Sequence, residues 1–178
     1  MSEANKTRLE VQKILKDTIT AGITALGGTG WTVMEFSNAS FQSGDKIVLM
    51  NLVRSVKCGW QRFTYPVESN QLKRRDEWID EQVWQLHFIC KRKAGADGAM
   101  AEDMASNLST WFNGAGSLMF RKSGIAPLRV ESDSVIVYND NSELYQKRAV
   151  FTVKLQVPKE MQTAETEMEA LLPKVKPV

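Results

Sequence analysis

Between Glu143 and Val157 the chain alternates. Tyr145, Ala149, Phe151, Val153, Leu155 and Val157 fall on every second position, with Lys147 the polar residue in their series. Gln146, Arg148, Thr152, Lys154 and Gln156 lie between them, with Val150 the apolar exception. A period of two is strand periodicity, so this stretch predicts a strand with one greasy and one wet face. It is about twice the usual strand length of roughly five or six residues. A second alternating run begins at Glu77. Trp78, Trp84, Leu86, Phe88 and Cys90 share one parity, while Glu81, Gln85 and His87 share the other with Ile79, Val83 and Ile89. That pattern predicts a strand buried on one side and partly buried on the other.

The first element has the other period. Thr7 followed by Glu10 is a capping-box signature. Val11, Ile14, Leu15, Thr18, Ile19, Gly22, Ile23 and Leu26 then form one helical stripe. "GGTG" at 27–30 is expected to stop it. The same glycines do not make a phosphate loop, because they follow a helix and lack a GK[ST] ending. A short strand is expected within 31–41 and a turn at 43–45. Residues 46–67 are too long for an ordinary strand and contain Cys58-Gly59, where a bulge or turn fits. Two strands are expected there, about 46–56 and 59–66, closed by Pro66. "ESNQLKRRD" at 68–76 is expected to be a polar connection.

Asp97 is a good N-cap for a second helix, with Met100, Met104, Leu108 and Trp111 as its buried stripe and "NGAG" at 113–116 as its stop. Short strands are expected near 117–121 and 125–130. "DSVIVYND" and the long strand that follows it make a hairpin over 133–157. From Pro158 the alternation ends, and residues 160–172 have the composition of one short helix. The expected organisation is a single α+β domain over 1–157, a mainly antiparallel sheet with two principal helices on one face, followed by a flexible C-terminal arm over 158–178.

Composition narrows the function classes. The chain has 178 residues, 43% hydrophobic and 25% charged, as in an ordinary globular domain. A net charge of +2 does not by itself call for a nucleic acid. No apolar run approaches the length of a membrane span, and "MSEANKTRLE" has no secretory character. Cys58 and Cys90 form no CxxC pair and are expected to be reduced core thiols of a cytosolic protein.

Candidate chemistry is sparse. The single histidine, His87, sits mid-strand without metal-spaced partners and is expected to pack rather than catalyse. Asp76, Glu77, Asp80 and Glu81 cluster, but Asp80 and Glu81 face opposite sides of a strand. Lys73, Arg74 and Arg75 lie just upstream, so a mixed-charge surface is the expectation. Many Lys and Arg fall in or near strands, among them Arg54, Lys57, Arg62 and Lys154. Their aromatic neighbours share parity with the core face, which argues against a stacking platform for single strands. No Walker, GxSxG or HExxH motif occurs. Neither catalytic residues, nor a metal, nor a cofactor is expected. Five tryptophans and eight methionines fit burial at interfaces.

The order of blocks resembles the neck or tail-terminator (tail completion) proteins of tailed bacteriophages. The blocks are an N-terminal helix, "YPVE", "RRDEWIDEQVWQLHFIC", "GADGAMAEDMASNLSTWF", "GIAPLRV" and "NDNSELYQKRAVFTVKLQV", together spanning about residues 7–157. The resemblance implies a virion structural subunit of a ring, usually a hexamer, at the head-proximal end of the tail. Such a ring ends tail-tube polymerisation, docks the neck or head-completion protein, and passes DNA through its lumen. It implies assembly in the host cytoplasm and no membrane. By position, the interface candidates are Arg74, Arg75, Asp76 and Glu77 in the loop and strand start, and Tyr145 and Arg148 in the last strand. The other readings left open are a head-completion, tail-tube or baseplate subunit, and a nucleic-acid-binding module or unrecognised enzyme.

Overall fold

In the computed structural model, described here for residues 5–36, 46–68, 71–90, 100–128, 130–139 and 145–164, two principal helices lie on one face of a mainly antiparallel sheet. The fold is therefore α+β. Helix α1 covers Arg8–Ala25, and strand β1 covers Trp31–Glu35. Next come β2 (Lys46–Thr64), β3 (Val67–Glu68) and β4 (Gln71–Cys90). Helix α2 (Met100–Trp111) runs through a π-helical segment, Phe112–Gly116, into α3 (Ser117–Lys122). Strands β5 (Ala126–Pro127), β6 (Glu131–Asn139) and β7 (Tyr145–Ala164) complete the order. Across the sheet the strands run β1-β2-β4-β7-β5, with β3 paired to β4 and β6 to β7. The pair β1 and β2 is parallel, and the other pairs are antiparallel.

Local chemistry sets the helix ends. The Glu10 backbone N–H donates to Thr7 Oγ1 at 3.2 Å, and the Thr7 N–H donates back to the Glu10 carboxylate at 2.6 Å. The Thr7 N–H bond, and after it the Thr7 hydroxyl donating to Glu10 Oε2 at 2.9 Å, hold the Glu10 carboxyl below the usual carboxylate range. At the other end of α1 the Gly28 N–H reaches Ile23 O and the Gly27 N–H reaches Thr24 O, a Schellman motif with Gly27 at φ 72°. α3 ends the same way. Ile125 N–H bonds Phe120 O and Gly124 N–H bonds Arg121 O, with Gly124 at φ 69°. Phe120 and Ile125 are both buried, which supplies the apolar contact that accompanies this cap.

One core lies between helices and sheet. Val11, Leu15, Ile19 and Ile23 of α1 meet Ala101, Ala105 and Leu108 of α2, together with the helix-facing residues of the sheet. Those are Val48 and Met50 of β2, Trp84, Leu86 and Phe88 of β4, and Phe151, Val153, Leu155 and Val157 of β7. The parity expected for β4 and β7 is the parity observed. Register explains the agreement: Leu86 stands opposite Phe151 and Trp84 opposite Val153, so both greasy rows share a face. A smaller cluster, Ile47, Leu49 and Ile89 with Met34 packed on it, lies on the other side of the sheet.

Several expectations fail for identifiable reasons. β2 is one strand rather than two, because its Cys58-Gly59 site is a bulge within a continuous pairing to β4. Gly59 has φ 79°, which a side chain would strain. The polar stretch 71–76 is strand and not connection, since it pairs with β7 from Lys73 onward. "NGAG" does not stop α2. The backbone widens into the π segment and kinks at Gly114 (φ −109°, ψ −105°). The stretch expected as strand at 117–121 is α3, and β5 has two residues.

β7 also continues past Pro158 to Ala164, so 158–164 is sheet rather than arm or helix. Pro158 is tolerated because its missing N–H points away from β4. Its carbonyl points to the same outer side, where Asn5 N–H donates to it at 3.3 Å. Residues 165–178 of the expected arm, the expected cap at Asp97 and the turns expected at 43–45 and after Asn139 lie outside the described residues.

Gly22 fixes how closely α1 and α2 approach. A Cβ there would stand 2.5 Å from Leu108 Cδ1 and 2.7 Å from Trp111 Cε3. Gly22→Ala is therefore expected to destabilise the domain by about 1–3 kcal/mol through overpacking. The shift of the urea midpoint at unchanged slope measures it.

Candidate assembly surface

The core on the sheet's helix side ends at Val157. Past that point β2, β4 and β7 carry on together as a three-stranded extension, in which the register joins Arg62–Glu77–Glu160 and Phe63–Asp76–Met161 into rows across the sheet. Its side chains are polar, charged or exposed apolar, and they are tied to one another.

On the helix side, Ser55 Oγ donates to Asp80 Oδ2 at 3.0 Å. The Lys57 ammonium sits 4.3 Å from the centroid of the Trp78 ring. Arg74 lies over the Phe63 ring at 4.6 Å and gives its Nε to Asp76 Oδ1 at 2.9 Å. Asp76 is buried, 5% exposed, so this charge-assisted bond forms away from bulk water. Gln82 is also buried and accepts from Trp84 Nε1 at 3.1 Å, which satisfies the indole at the edge of the core.

On the opposite side, Arg54 bonds Glu81 at 3.0 Å, and Cys58 Sγ lies 3.8 Å from the other Glu81 oxygen. Arg75 Nε is 3.2 Å from Glu160 Oε1, which also accepts from Gln162 Nε2 at 2.9 Å. The bulge in β2 opens a groove of about 420 Å³ beside these pairs, lined by Cys58, Arg62, Glu77, Trp78, Lys159 and Glu160.

The structure divides the six candidate residues. Arg74, Arg75, Asp76 and Glu77 stand together in the first half of β4, inside a strand rather than at a loop. They alternate: Arg74 and Asp76 take the helix side, Arg75 and Glu77 the other. Tyr145 and Arg148 begin β7 at the far end of the sheet, Tyr145 opposite Asn139, and Arg148 opposite Ile89 and Ile136. At about 3.3 Å per residue, Arg75 and the Ile89–Arg148 row are roughly 46 Å apart. They are two surfaces, not one.

Sequence reasoning missed how the basic residues are answered. Arg54, Arg74 and Arg75 each face a carboxylate on a neighbouring strand or two positions along their own. The signal for Arg54 was hidden because the bulge between Leu52 and Arg54 shifts the parity of β2. Equally invisible was Asn5, whose Oδ1 accepts from the Glu160 N–H at 2.7 Å and so caps the edge of β7. His87 is half-buried, its ring 6.3 Å from that of Phe36. Among the described residues no group of three His, Cys, Asp or Glu is arranged to hold a metal ion. No described helix is long and apolar enough to cross a membrane.

This surface combines the ion pairs of Arg54, Arg74 and Arg75 with the exposed side chains of Phe63 and Met161. No protein-family model matches the chain, and no curated protein matches its sequence.

The Arg74–Asp76 pair gives a direct test of how the extension is held. Asp76→Ala leaves Arg74 without its buried acceptor and is expected to cost about 1–3 kcal/mol. Arg54→Ala, at an exposed pair, is expected to cost about 0–1 kcal/mol by the same denaturation assay.

Proposed function

We propose that this chain is a ring-forming virion subunit, of the tail-terminator or neck type, that closes the head-proximal end of a phage tail and joins it to the head. The observation that carries the reading is the three-stranded extension. It projects past the core, its Arg54, Arg74 and Arg75 face carboxylates within the extension, and no strand flanks the outer side of β2 after Met50 or of β7 after Gln156 among the described residues. Such a surface suits hydrogen-bonded packing against a like surface, since protein interfaces are about as apolar as ordinary surface. The ordered blocks from the N-terminal helix to "YQKRAVFTVKLQV" support the same reading.

In this role the helices and core serve as a rigid body, and the extension and the Tyr145–Arg148 end of the sheet make the contacts. Partners are further copies of the chain, the tail-tube protein and the neck protein, with DNA passing through the lumen. The engagement of Arg54, Arg74 and Arg75 by carboxylates favours passage over capture, because tight phosphate binding needs several cations free to replace counterions.

Light scattering over a concentration series, with and without purified tail tubes, tests the proposal. The expected result is a discrete closed species at about six times the 20.1 kDa chain mass, and capping of tubes at one end. A chain that stays monomeric and leaves both tube ends uncapped overturns it. Arg148→Glu is expected to keep the native circular dichroism spectrum and to lose the closed species. Unchanged assembly removes Arg148 from the interface.

A further inference from the structure

β1 covers β2 from Lys46 to Met50. From Asn51 to Thr64, the outer side of β2 has no neighbouring strand among the described residues. The far side of the sheet is similar. The pairing of β5 with β7 reaches Gln156, and from Val157 to Ala164 no described strand follows. The extension thus has two open edges at the same height.

The two edges are chemically unlike and complementary. Row by row, β2 presents Phe63 and Arg62 where β7 presents Met161 and Glu160, whose Oε1 already faces Arg75 and Gln162, so an incoming Arg62 would share that carboxylate with them. Phe63 is 48% and Met161 51% exposed, so each edge carries an apolar side chain that a partner would cover. A second copy set beside the first in the same sheet and register places Arg62 against Glu160 and Phe63 against Met161. Both β2 and β7 run antiparallel to β4, so the junction between copies is a parallel pair. Each copy keeps one edge of each kind, so the contact is heterologous and repeats.

One group already stands where the incoming strand would lie. Asn5 N–H donates to Pro158 O, and Asn5 Oδ1 accepts from Glu160 N–H, as a neighbouring strand would. The Lys159 ammonium donates to Lys6 O beside it. Asn5 does this at φ 85°, a left-handed conformation that asparagine tolerates better than most side chains. A plug of one residue answers Pro158 O and the Glu160 N–H without extending the sheet, which blunts that part of the edge against indiscriminate pairing.

We propose that copies of this chain join edge to edge, β2 of one against β7 of the next, and that Asn5 is a plug displaced by the incoming strand. The proposal rests on the ring reading and names its contact.

Cross-linking the full chain tests it, in a Cys58→Ser, Cys90→Ser background. Positions 63 and 161 of one chain lie two strand spacings apart, about 9.6 Å, which is beyond disulfide reach. In adjacent strands of two copies they are within reach. Phe63→Cys and Met161→Cys proteins, mixed under mild oxidation, are expected to give a disulfide-linked dimer that neither gives alone. The variant carrying both changes is expected to give a ladder. No mixed dimer, or equal dimer from either variant alone, overturns the edge contact. Arg62→Glu and Glu160→Arg should each lower the mixed-dimer yield at least several-fold, and together restore it. Failure of the pair to restore it removes the row alignment. Asn5→Ala should speed mixed-dimer formation several-fold, and an unchanged rate overturns the plug. A closed native species without this cross-link keeps the ring and excludes this edge. Ladders with no closed native species keep the edge and exclude the ring.

Discussion

β4 is hydrogen-bonded on both sides, to β2 from Arg75 to Cys90 and to β7 from Lys73 to Cys90, with interruptions only at the β2 bulges. Everything else takes its position from that double pairing. The register brings Phe88 over Phe151, with ring centroids 5.4 Å apart, and Phe151 then meets Phe112 at 6.0 Å. Phe112 in turn meets Phe120 at 5.6 Å, so one chain of aromatic contacts links the central strand through the π segment to α3. A slip of one residue in β4 would send Trp84, Leu86 and Phe88 to the wet side, each losing about 1.5–3 kcal/mol or more of burial. The register is therefore strongly specified where the helices cover the sheet.

In the extension that specification must come from elsewhere. Among the described residues the helix-side core reaches only to the Asp80–Val157 row, and from Arg75 to Glu77 the alternation is polar on both faces. Polar pairs across strands take over: the ion pairs of Arg54 with Glu81 and Arg75 with Glu160, and the hydrogen bond of Ser55 to Asp80. Individually these contacts are weak at an exposed surface. Together with the buried Asp76 they favour the alignment in which these partners meet, and they do so although that register sets Glu77 directly opposite Glu160.

This division explains what could be read in the sequence. Wherever burial imposed alternation, as in 78–90 and 149–157, strand, parity and core were legible. The first helix was legible because Thr7, Glu10 and Gly27 mark its ends with residue types that only a few geometries use. Residues 71–76 were not, because "QLKRRD" carries no hydrophobic period and its strand state comes from neighbours on both sides. Pro158 concealed the end of β7, since a proline that faces an open edge looks in sequence like a stop. Gly114 and Gly116 misled in the same way: a glycine that permits a kink resembles one that ends a helix. Of the candidate surface, Arg74–Glu77 were legible as a charged cluster. Their alternation between faces, and their distance from Tyr145 and Arg148, needed the pairing of β4 with β7.

The pairs that join β4 to β7 connect distant parts of the chain, from Cys90 with Lys147 to Lys73 with Ala164. During synthesis β2 and β4 can form their hairpin while β7 is still to be made. For that interval Trp84, Leu86 and Phe88 have a partner strand on the β2 side only, and the other long edge of β4 is available to any other chain. Non-local pairing of this kind folds slowly and is the stage most exposed to misassociation. Emergence of the segment ending at Ala164 is thus the event that commits the nascent chain to its native sheet.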